Sequence, residues 1–281
     1  MIKLLAFDLD GTLLDDEKHV SPRAVRALSD AADAGVVIVP ATGRLPGGLP
    51  SDITALPFIR YAIMLNGALA GDIRSGSRLY ECAFSRSEGL EVWDMISSVD
   101  AMKDVFINDG GFMEESLRPR VSAYCLSAPV MRLVLDTRTF VPEVRPLLEA
   151  ADERTGAQKF NLYFPAEHYR ESMPEARREL ERVPYLQLAR SVPNNLEINR
   201  RGADKGRALI ELCRILGISP EETAAFGDGE NDISLLRSAG LGIAMANADP
   251  EIKAAADEVT DHDNDHDGFA IAVERLMTGR T

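Results

Sequence analysis

The feature that most constrains the fold is a pair of short apolar runs joined by one helical segment near the start of the chain. Leu4–Phe7 and Val36–Val39 are apolar throughout, as expected of strands buried on both faces of a parallel sheet. Between them, Ser21 and Pro22 predict the start of a helix, and Gly35 predicts its end. Strand, helix and strand with short connections form a βαβ unit, so the two strands should be parallel.

The same alternation returns near the end of the chain, where Thr223–Phe226 and Leu241–Ala244 are largely apolar and a short helical segment separates them. From Phe84 to Arg190 it gives way to mixed strands and helices. We therefore predict an α/β fold with a Rossmann-like, doubly wound parallel sheet as its core, formed by residues 1–83 and 191–281. Residues 84–190 are predicted to form an inserted α+β cap domain.

Finer elements follow from amphipathic spacing, alternation and turn residues. In the inserted region we predict helices over Glu88–Val99, Pro142–Arg154 and Glu167–Arg182, and strands over Val105–Asn108, Met131–Leu135, Phe160–Phe164 and Tyr185–Ala189. In the core we predict a strand over Tyr61–Leu65 and a hairpin between Ala70 and Glu81. Leu45–Pro50 is too rich in proline and glycine for a regular helix.

Charge and cysteine usage limit the class of partner. The 281 residues include 31 Lys and Arg against 45 Asp and Glu, a formal net charge of −14. Such a surface repels nucleic acid and anionic membranes, so we expect neither as a partner. The sequence predicts no membrane span and no signal peptide. Its three widely spaced cysteines, Cys82, Cys125 and Cys213, indicate reduced thiols in a cytoplasmic protein.

Two carboxylates follow the first apolar run at a spacing of two. In an extended chain, Asp8 and Asp10 would lie on one face, close to the turn that Gly11 predicts. Unpaired charge is costly beside a buried strand, so a divalent cation and a transferred phosphoryl group would explain the pair. By itself, however, a D-x-D sequence is more often a solvated turn, and other parts of the chain must support the functional interpretation.

We expect three further polar clusters at the same edge of the sheet as Asp8 and Asp10. Ligands of such sheets bind beyond the carboxyl ends of the strands. Two follow strands and one opens a helix, and their members are Thr42 and Arg44, then Asp228, Asn231 and Asp232, and finally Lys205. Each alone has an ordinary structural interpretation as a turn or a solvated residue. Together they form a hypothesis for a catalytic site.

In these motifs the sequence resembles the haloacid dehalogenase-like (HAD) hydrolase superfamily, and within it the Cof-type sugar-phosphatase subfamily with a type IIB cap. The resemblance is carried by Asp8–Leu14, Ala41–Arg44, Asn66–Ala68, Lys205-Gly206 and Gly227–Asp232. Their order and spacing agree over essentially the whole chain, although the cap agrees in length and position more than in residues. The resemblance implies a Rossmann-like core with an inserted cap that selects the substrate.

The resemblance also implies roles for particular residues. Asp8 would be the nucleophile that takes the phosphoryl group, and Asp10 would protonate the leaving alcohol and then deprotonate water. Lys205 would be the third catalytic residue, offsetting the charge of the carboxylates. The ligands of a Mg²⁺ cofactor would be Asp8, the Asp10 carbonyl, Asp228 and Asp232. The implied phosphate- and substrate-binding residues are Leu9, Thr42, Gly43, Arg44, Asn66 and Asn231.

The implied function is a Mg²⁺-dependent phosphatase for small phosphorylated metabolites, sugar phosphates among them, acting as a monomer or small homo-oligomer. Two alternatives remain open. A phosphosugar mutase uses the same aspartyl-phosphate, and a non-catalytic protein would bind a phosphorylated metabolite without turnover. The charged run Asp261–Asp267 contains two histidines, but we interpret it as solvated surface rather than a metal site.

Overall fold

The computed structural model describes residues 1–279. Its strands are β1 Leu4–Phe7, β2 Val37–Pro40, β3 Tyr61–Met64, β4 Leu69–Asp72, β5 Ser77–Glu81, β6 Met102–Ile107, β7 Gly110–Glu114, β8 Arg138–Val141, β9 Lys159–Tyr163, β10 Leu186–Ala189, β11 Asn195–Arg200, β12 Thr223–Gly227, β13 Leu241–Ala244 and β14 Glu258–Val259. Its α-helices are α1 Pro22–Asp33, α2 Ser51–Thr54, α3 Arg86–Ser97, α4 Val121–Tyr124, α5 Ala128–Thr137, α6 Arg145–Ala150, α7 Tyr169–Leu180, α8 Lys205–Leu216, α9 Ile233–Ser238, α10 Pro250–Lys253 and α11 Gly268–Thr278. Within the described residues, no helix combines the length and the apolar character needed to cross a membrane.

The chain divides into two compact units. The first contains Met1–Gly43, Leu49–Glu81 and the residues from Asp204 onward, and the second contains Arg44–Gly48 and Cys82–Ala203. Residues 191–203, which the sequence interpretation placed in the core, belong by their contacts to the second unit. The reason is that β11 pairs antiparallel with β9 and β10, so it is a strand of the second unit's sheet.

The first unit is built on a five-stranded sheet with the order β14-β13-β12-β1-β2. Every pairing in it is parallel, which confirms the predicted α/β class. Side chains of β1 alternate between two buried cores, as the period of a strand requires. Leu5 and Phe7 pack with α1 and α11, whereas Leu4 and Ala6 pack with α8. The sheet is therefore covered by helices on both faces, which is the doubly wound arrangement.

Local signals explain where the flanking helices begin. The Ser21 hydroxyl accepts a hydrogen bond from the Ala24 amide at 3.1 Å, and Pro22 occupies the first turn of α1. At α8 the Asp204 carboxylate accepts from the Arg207 amide at 2.8 Å, and Gly217 ends the helix in the left-handed conformation. The Asp204 cap therefore sets the first residue of α8 at Lys205, and Gly217 sets its end.

The second unit is built on a six-stranded sheet with the order β10-β11-β9-β6-β7-β8. One face packs against α3, α6 and α7 around aromatic residues such as Phe84 and Phe160. The strand predicted over Met131–Leu135 is wrong, because these residues lie in α5. The Ser127 hydroxyl caps that helix and Pro129 follows it, so the start signal outweighs the strand preference of the apolar run.

The segment after β2 is irregular, as its composition predicted. Pro46–Gly48 forms a 3₁₀ turn and α2 is a single short helix. The 3₁₀ turn contacts α5, and Arg44–Gly48 belongs with α5 to the second unit. Further along, β3 pairs with β4 and β5 in an antiparallel sheet, and a parallel bridge from Ile63 to Ala41 joins this sheet to the end of β2.

Candidate active site

Asp8 lies directly after β1, the strand between β12 and β2 in the first unit. Its amide donates to the Phe226 carbonyl at 3.0 Å, which holds Asp8 in line with the neighbouring strand. The residue is buried, with 6% of its surface exposed, and Leu9 beside it is fully buried. The Asp8 carboxylate accepts a hydrogen bond from the Lys205 ammonium, with 2.7 Å between Oδ1 and Nζ.

Lys205 joins Asp8 to a second carboxylate. Its Nζ lies 2.6 Å from Oδ1 of Asp232, and its side chain is fully buried. The next residue, Gly206, allows the start of α8 to approach α9, because a Cβ there would lie 2.2 Å from the Ser234 carbonyl oxygen. The helix start and this close approach place the lysine between two acids distant in sequence.

Asp228 and Asp232 belong to the loop after β12. The Asp232 Oδ2 atom accepts hydrogen bonds from the amides of Asp228 and Gly229 at 3.0 and 2.9 Å, so one carboxylate closes the loop. Asp228 in turn accepts from the Thr12 hydroxyl at 2.6 Å. Gly11 has a φ of +87°, and a Cβ there would lie 2.4 Å from Asp228, so glycine is required where the two loops meet.

The resulting acidic cluster consists of Asp8, Asp228, Asp232 and Lys205. One oxygen from each carboxylate lies within 4.8 Å of the others. Burial raises the pKa of Asp8 well above its ordinary value, although Lys205 opposes this. Burial, followed by the charge of Asp232, raises the pKa of Asp228 to about 7. Burial disfavours the Lys205 ammonium, but the two carboxylates outweigh this effect and raise its pKa.

The donor set of this cluster fits a magnesium ion. Mg²⁺ takes oxygen ligands from one or two carboxylates and keeps several waters. Two buried carboxylates, the half-buried Asp228 and one ammonium leave an excess of negative charge that a divalent cation would offset. Burial is the main cause of the raised pKa values of Asp8 and Asp228, and the charges of the neighbouring acids add to it.

A second group of predicted residues follows β2 and β3. Thr42 and Asn66 are buried, and the backbone N–H of Asn66 donates to the Thr42 carbonyl at 3.1 Å. Asn66 adopts a left-handed φ of +59°, which asparagine tolerates better than most residues. The Asn231 side-chain amide donates to Asn66 Oδ1 at 3.1 Å. Asn66 and Asn231, distant in sequence, are therefore brought together, and Gly43 directly follows Thr42.

Asp10 differs from the expectation that spacing suggested. Strand β1 ends at Phe7, so the extended geometry that would align Asp8 and Asp10 does not continue through them. Asp10 is not one of the three clustered carboxylates, and its Oδ1 lies 3.1 Å from the Lys18 ammonium. Its side chain is 37% exposed, whereas that of Asp8 is 9% exposed. The resemblance implied that Asp10 would bind Mg²⁺ through its backbone carbonyl, so the position of its side chain does not bear on that prediction.

Arg44 is grouped with the second unit, where its guanidinium donates to the Gly48 carbonyl at 3.2 Å. Three residues that were not predicted as site residues support the loop after β1, namely Thr12, Lys18 and Asn247. The Asn247 side-chain amide donates to the Gly11 carbonyl at 2.8 Å. Thr12 and Asn247 lie in or near motifs of the resemblance, but the contact of Lys18 had no signal in the sequence.

The charged run Asp261–Asp267 connects to the start of the chain. The Asp16 amide donates to Asp265 Oδ1 at 2.9 Å, and the Ser21 hydroxyl donates to Asp267. Asp263 accepts from the amide of His266 and contacts its ring. These pairs stabilise the loop that precedes α11.

Comparison with known proteins identifies the class of protein that carries these three carboxylates and a lysine at the carboxyl edge of a parallel sheet. Residues 5–273 match the family model described as haloacid dehalogenase-like hydrolase. The chain therefore belongs to the haloacid dehalogenase-like hydrolases, which confirms the resemblance in its motifs.

Relatives similar over the whole chain are phosphatases. The chain is 30% identical to phosphatase YwpJ of Bacillus subtilis, covering 98% of this chain and 100% of that protein. It is 31% identical to the 5-amino-6-(5-phospho-D-ribitylamino)uracil phosphatase YcsE of the same organism, covering 98% and 96%. The protein is thus a phosphoric monoester hydrolase.

Solved structures agree with this assignment. A haloacid dehalogenase-like hydrolase from B. subtilis superposes with a TM-score of 0.85 at 29% identity, covering 98% of this chain and 100% of that one. The HAD subclass IIB sugar phosphatase BT4131 superposes with a TM-score of 0.76 at 26% identity, covering 98% and 99%. Both the parallel-sheet core and the additional antiparallel sheet are shared with this fold family.

Proposed function

We propose that this protein is a Mg²⁺-dependent phosphatase that hydrolyses small phosphorylated metabolites, sugar phosphates among them, through an aspartyl-phosphate on Asp8. The observation that carries the proposal is the acidic cluster, in which the Asp8 carboxylate lies 2.7 Å from a fully buried lysine and beside two further acids. Similarity to a sugar phosphatase and to a phosphatase of a ribityl phosphate supports this substrate class.

Asp8 and Asp10 take part in both half-reactions. An oxygen of Asp8 attacks phosphorus, the bond from phosphorus to the ester oxygen breaks, and Asp10 gives its proton to the departing alcohol. Asp10 then takes a proton from water, whose oxygen attacks the phosphoryl group and releases inorganic phosphate and free Asp8. Asp10 is suited to this exchange because its side chain is partly exposed, whereas Asp8 is buried.

Charge stabilisation is divided between lysine and metal. Lys205 would remain protonated throughout and offset the charge of Asp8 and Asp232. Asp8, the Asp10 carbonyl, Asp228 and Asp232 would hold Mg²⁺, which supplies positive charge to the phosphoryl oxygens when it is bound. The residues proposed to contact phosphoryl oxygens or substrate are Leu9, Thr42, Gly43, Arg44, Asn66 and Asn231.

We further propose that the second unit is the cap that selects the leaving group. The substrate would be the principal partner, and the protein would act as a monomer or small homo-oligomer. We place its activity in the cytoplasm, which suits the three free thiols of Cys82, Cys125 and Cys213.

Phosphate release from a panel of sugar phosphates, vitamin phosphates and p-nitrophenyl phosphate, with Mg²⁺ and with EDTA, tests the proposal. We expect Mg²⁺-dependent release, and a loss on the order of 10⁴-fold in Asp8→Asn because the nucleophile is removed. Asp33→Asn, at an exposed helix end, is the matched control. Full activity of Asp8→Asn would overturn the mechanism, and isomerised product without free phosphate would indicate a mutase.

A further inference from the structure

The loop after β1 carries Asp10 and is held at both ends by asparagines from the last part of the first unit. The Asn247 side-chain amide donates to the Gly11 carbonyl at 2.8 Å, and Asn247 Oδ1 accepts from the backbone N–H of Asn264 at 3.3 Å. The Asn264 side-chain amide donates in turn to the Leu14 carbonyl at 3.1 Å. The backbone on the far side of Asp10 is therefore fixed by residues distant in sequence.

A tight turn follows this loop and carries Lys18. Its ends meet in an antiparallel bridge between Leu14 and Val20, and the Asp15 N–H donates to the His19 carbonyl at 3.1 Å. The Lys18 N–H donates to the Asp15 carbonyl at 2.9 Å, and Lys18 adopts a left-handed φ of +70°. This conformation is uncommon for residues other than glycine, so the hydrogen bonds around the turn must hold Lys18 in it.

The charged run Asp261–Asp267 holds the same turn. Asp265 Oδ1 accepts from the Asp16 N–H at 2.9 Å, and the Asn264 side-chain amide donates to Asp16 Oδ1 at 3.3 Å. Asp16 lies two residues before Lys18. The run therefore fixes the backbone from which the lysine side chain extends.

The turn brings the Lys18 ammonium to Asp10. Its Nζ lies 3.1 Å from Asp10 Oδ1, and the two side chains are 36% and 37% exposed. Ion pairs at such exposure contribute little to the stability of a fold. Stability alone therefore does not account for a strained and hydrogen-bonded turn that carries a lysine to this carboxylate.

The ammonium makes the two oxygens of Asp10 chemically different. A lysine ammonium donates hydrogen bonds and accepts none. While it contacts Oδ1, a proton on that oxygen would face its N–H groups, so a proton on the Asp10 carboxyl group is favoured on Oδ2. In its proposed role Asp10 gives a proton to the leaving alcohol and then takes one from water. Both transfers would then use the same oxygen.

We propose that Lys18 is a positioning residue, which holds Oδ1 of Asp10 so that Oδ2 delivers the proton to the leaving alcohol and takes the next one from water. The inference rests on the proposed phosphatase function and adds a residue to it. In the first half-reaction the proton passes from Oδ2 to the ester oxygen as its bond to phosphorus breaks. In the second, Oδ2 takes a proton from the attacking water. Lys18 keeps its own protons throughout, and Asn264 acts through the position of Lys18.

The test uses two esters of similar shape whose alcohols differ in their need for a proton. Phenolate is a stronger base than p-nitrophenolate, so its departure depends more on Asp10. The measured quantity is kcat/KM for phenyl phosphate divided by kcat/KM for p-nitrophenyl phosphate, because kcat/KM covers the step in which the alcohol leaves. We expect this ratio to fall about fivefold in Lys18→Met, a fraction of the about 10²–10⁴-fold that general acid catalysis contributes. Lys3→Met makes the same change in charge at an exposed lysine paired with Glu222 and should keep the ratio.

Two further variants separate positioning from a general effect on the fold. Lys18→Arg keeps a cation that donates and does not accept, and should restore the ratio to within about twofold of the wild type. Asn264→Ala releases the turn and should lower the ratio by a smaller factor. In the Lys18→Met background the same change should leave the ratio as it is, because Asn264 acts through the lysine. Thermal unfolding checks that each variant is folded.

The outcomes distinguish this inference from the proposed function. An unchanged ratio in Lys18→Met, an equal fall in kcat/KM for both esters, or no recovery in Lys18→Arg overturns the inference and leaves the phosphatase intact. A further fall when Asn264→Ala is added to Lys18→Met contradicts the route through the lysine. If the wild type releases phosphate from neither ester, the proposed function fails and the inference fails with it.

Discussion

The acidic cluster of the first unit contains four charged groups, and so does a cluster in the second unit formed by Asp104, Arg138, Lys159 and Glu197, which we call the balanced cluster. The acidic cluster has three carboxylates and one ammonium, a formal charge of −2. The balanced cluster has two carboxylates, one guanidinium and one ammonium, a formal charge of zero. Burial of uncompensated charge is expensive, so a cation would stabilise the first cluster, whereas the second has no excess charge to offset.

The difference in formal charge implies different roles for the two clusters. An excess of negative charge at the sheet edge suits the binding of Mg²⁺, whose charge would in turn attract the phosphoryl group of a substrate. A cluster without excess charge suits a structural role, because its charged groups compensate one another. Perturbing the first cluster should therefore change turnover, and perturbing the second should change stability.

The largest expected effect is on turnover, from Lys205→Met. Loss of the ammonium leaves three carboxylates without their internal counter-ion, so we expect kcat to fall on the order of 10³-fold. Phosphate release measures this loss, and thermal unfolding checks the fold. Lys3→Met, which removes an exposed lysine paired with Glu222, is the matched control and should keep wild-type turnover. Wild-type kcat in Lys205→Met would remove the lysine from the mechanism.

The next effect concerns the stability of the second unit. Arg138→Met leaves the Asp104 carboxylate buried and unpaired, so we expect a loss of about 3–5 kcal/mol in the free energy of unfolding. The double variant Asp104→Leu/Arg138→Met removes both charges and should recover most of that loss. Urea unfolding measures both. Additive losses in the double variant would contradict the claim that the cluster is balanced by this pair.

Bound Mg²⁺ should stabilise the first unit and leave the stability of the second unit nearly unchanged. At a hundredfold excess over its dissociation constant, a bound ion contributes about 2.7 kcal/mol, which corresponds to a rise in Tm of about 5–10 °C. Hydrogen exchange should show added protection in β1 and β12 and little change in β6 and β9. Asp228→Asn should abolish the shift, whereas Asp261→Asn, in the exposed charged run, should retain it. Equal protection of both units would contradict a site confined to the acidic cluster.

The smallest effect is expected for the ion pair between Arg60 and Asp72, in which the arginine side chain is exposed. A hydrogen bond from Arg60 and the amides of Ser75 and Arg74 lower the pKa of Asp72 to about 2. A lowered pKa stabilises the fold above the unfolded value of about 3.9, and this contribution disappears as the pH falls towards 2. The Tm difference between wild type and Asp72→Asn should therefore be full above about pH 4 and shrink below it. A difference independent of pH would reject this assignment.

Much of the first unit was predictable because its signals are local. A capping serine, a proline in the first turn and uniform apolar runs specify β1, α1 and β2 independently of tertiary contacts. The convergence of Asp8 and Asp228 was also predictable, since parallel strands deliver their carboxyl ends to one edge, whereas Lys205 reaches that edge from the start of α8. Pattern alone failed for Met131–Leu135, where apolar residues suit either element and the cap at Ser127 decides.

The amino-acid sequence by itself determined the class of fold, the enzyme family and the residues that meet at the edge of the parallel sheet, because motifs and periodicity are properties of neighbouring residues. Only the tertiary structure decided that β11 belongs to the second unit, that Asp10 pairs with Lys18, and that Asp104 faces Asn161 with two oxygens unsatisfied. These facts depend on strand register and on burial by segments distant in the chain, and no local pattern encodes either.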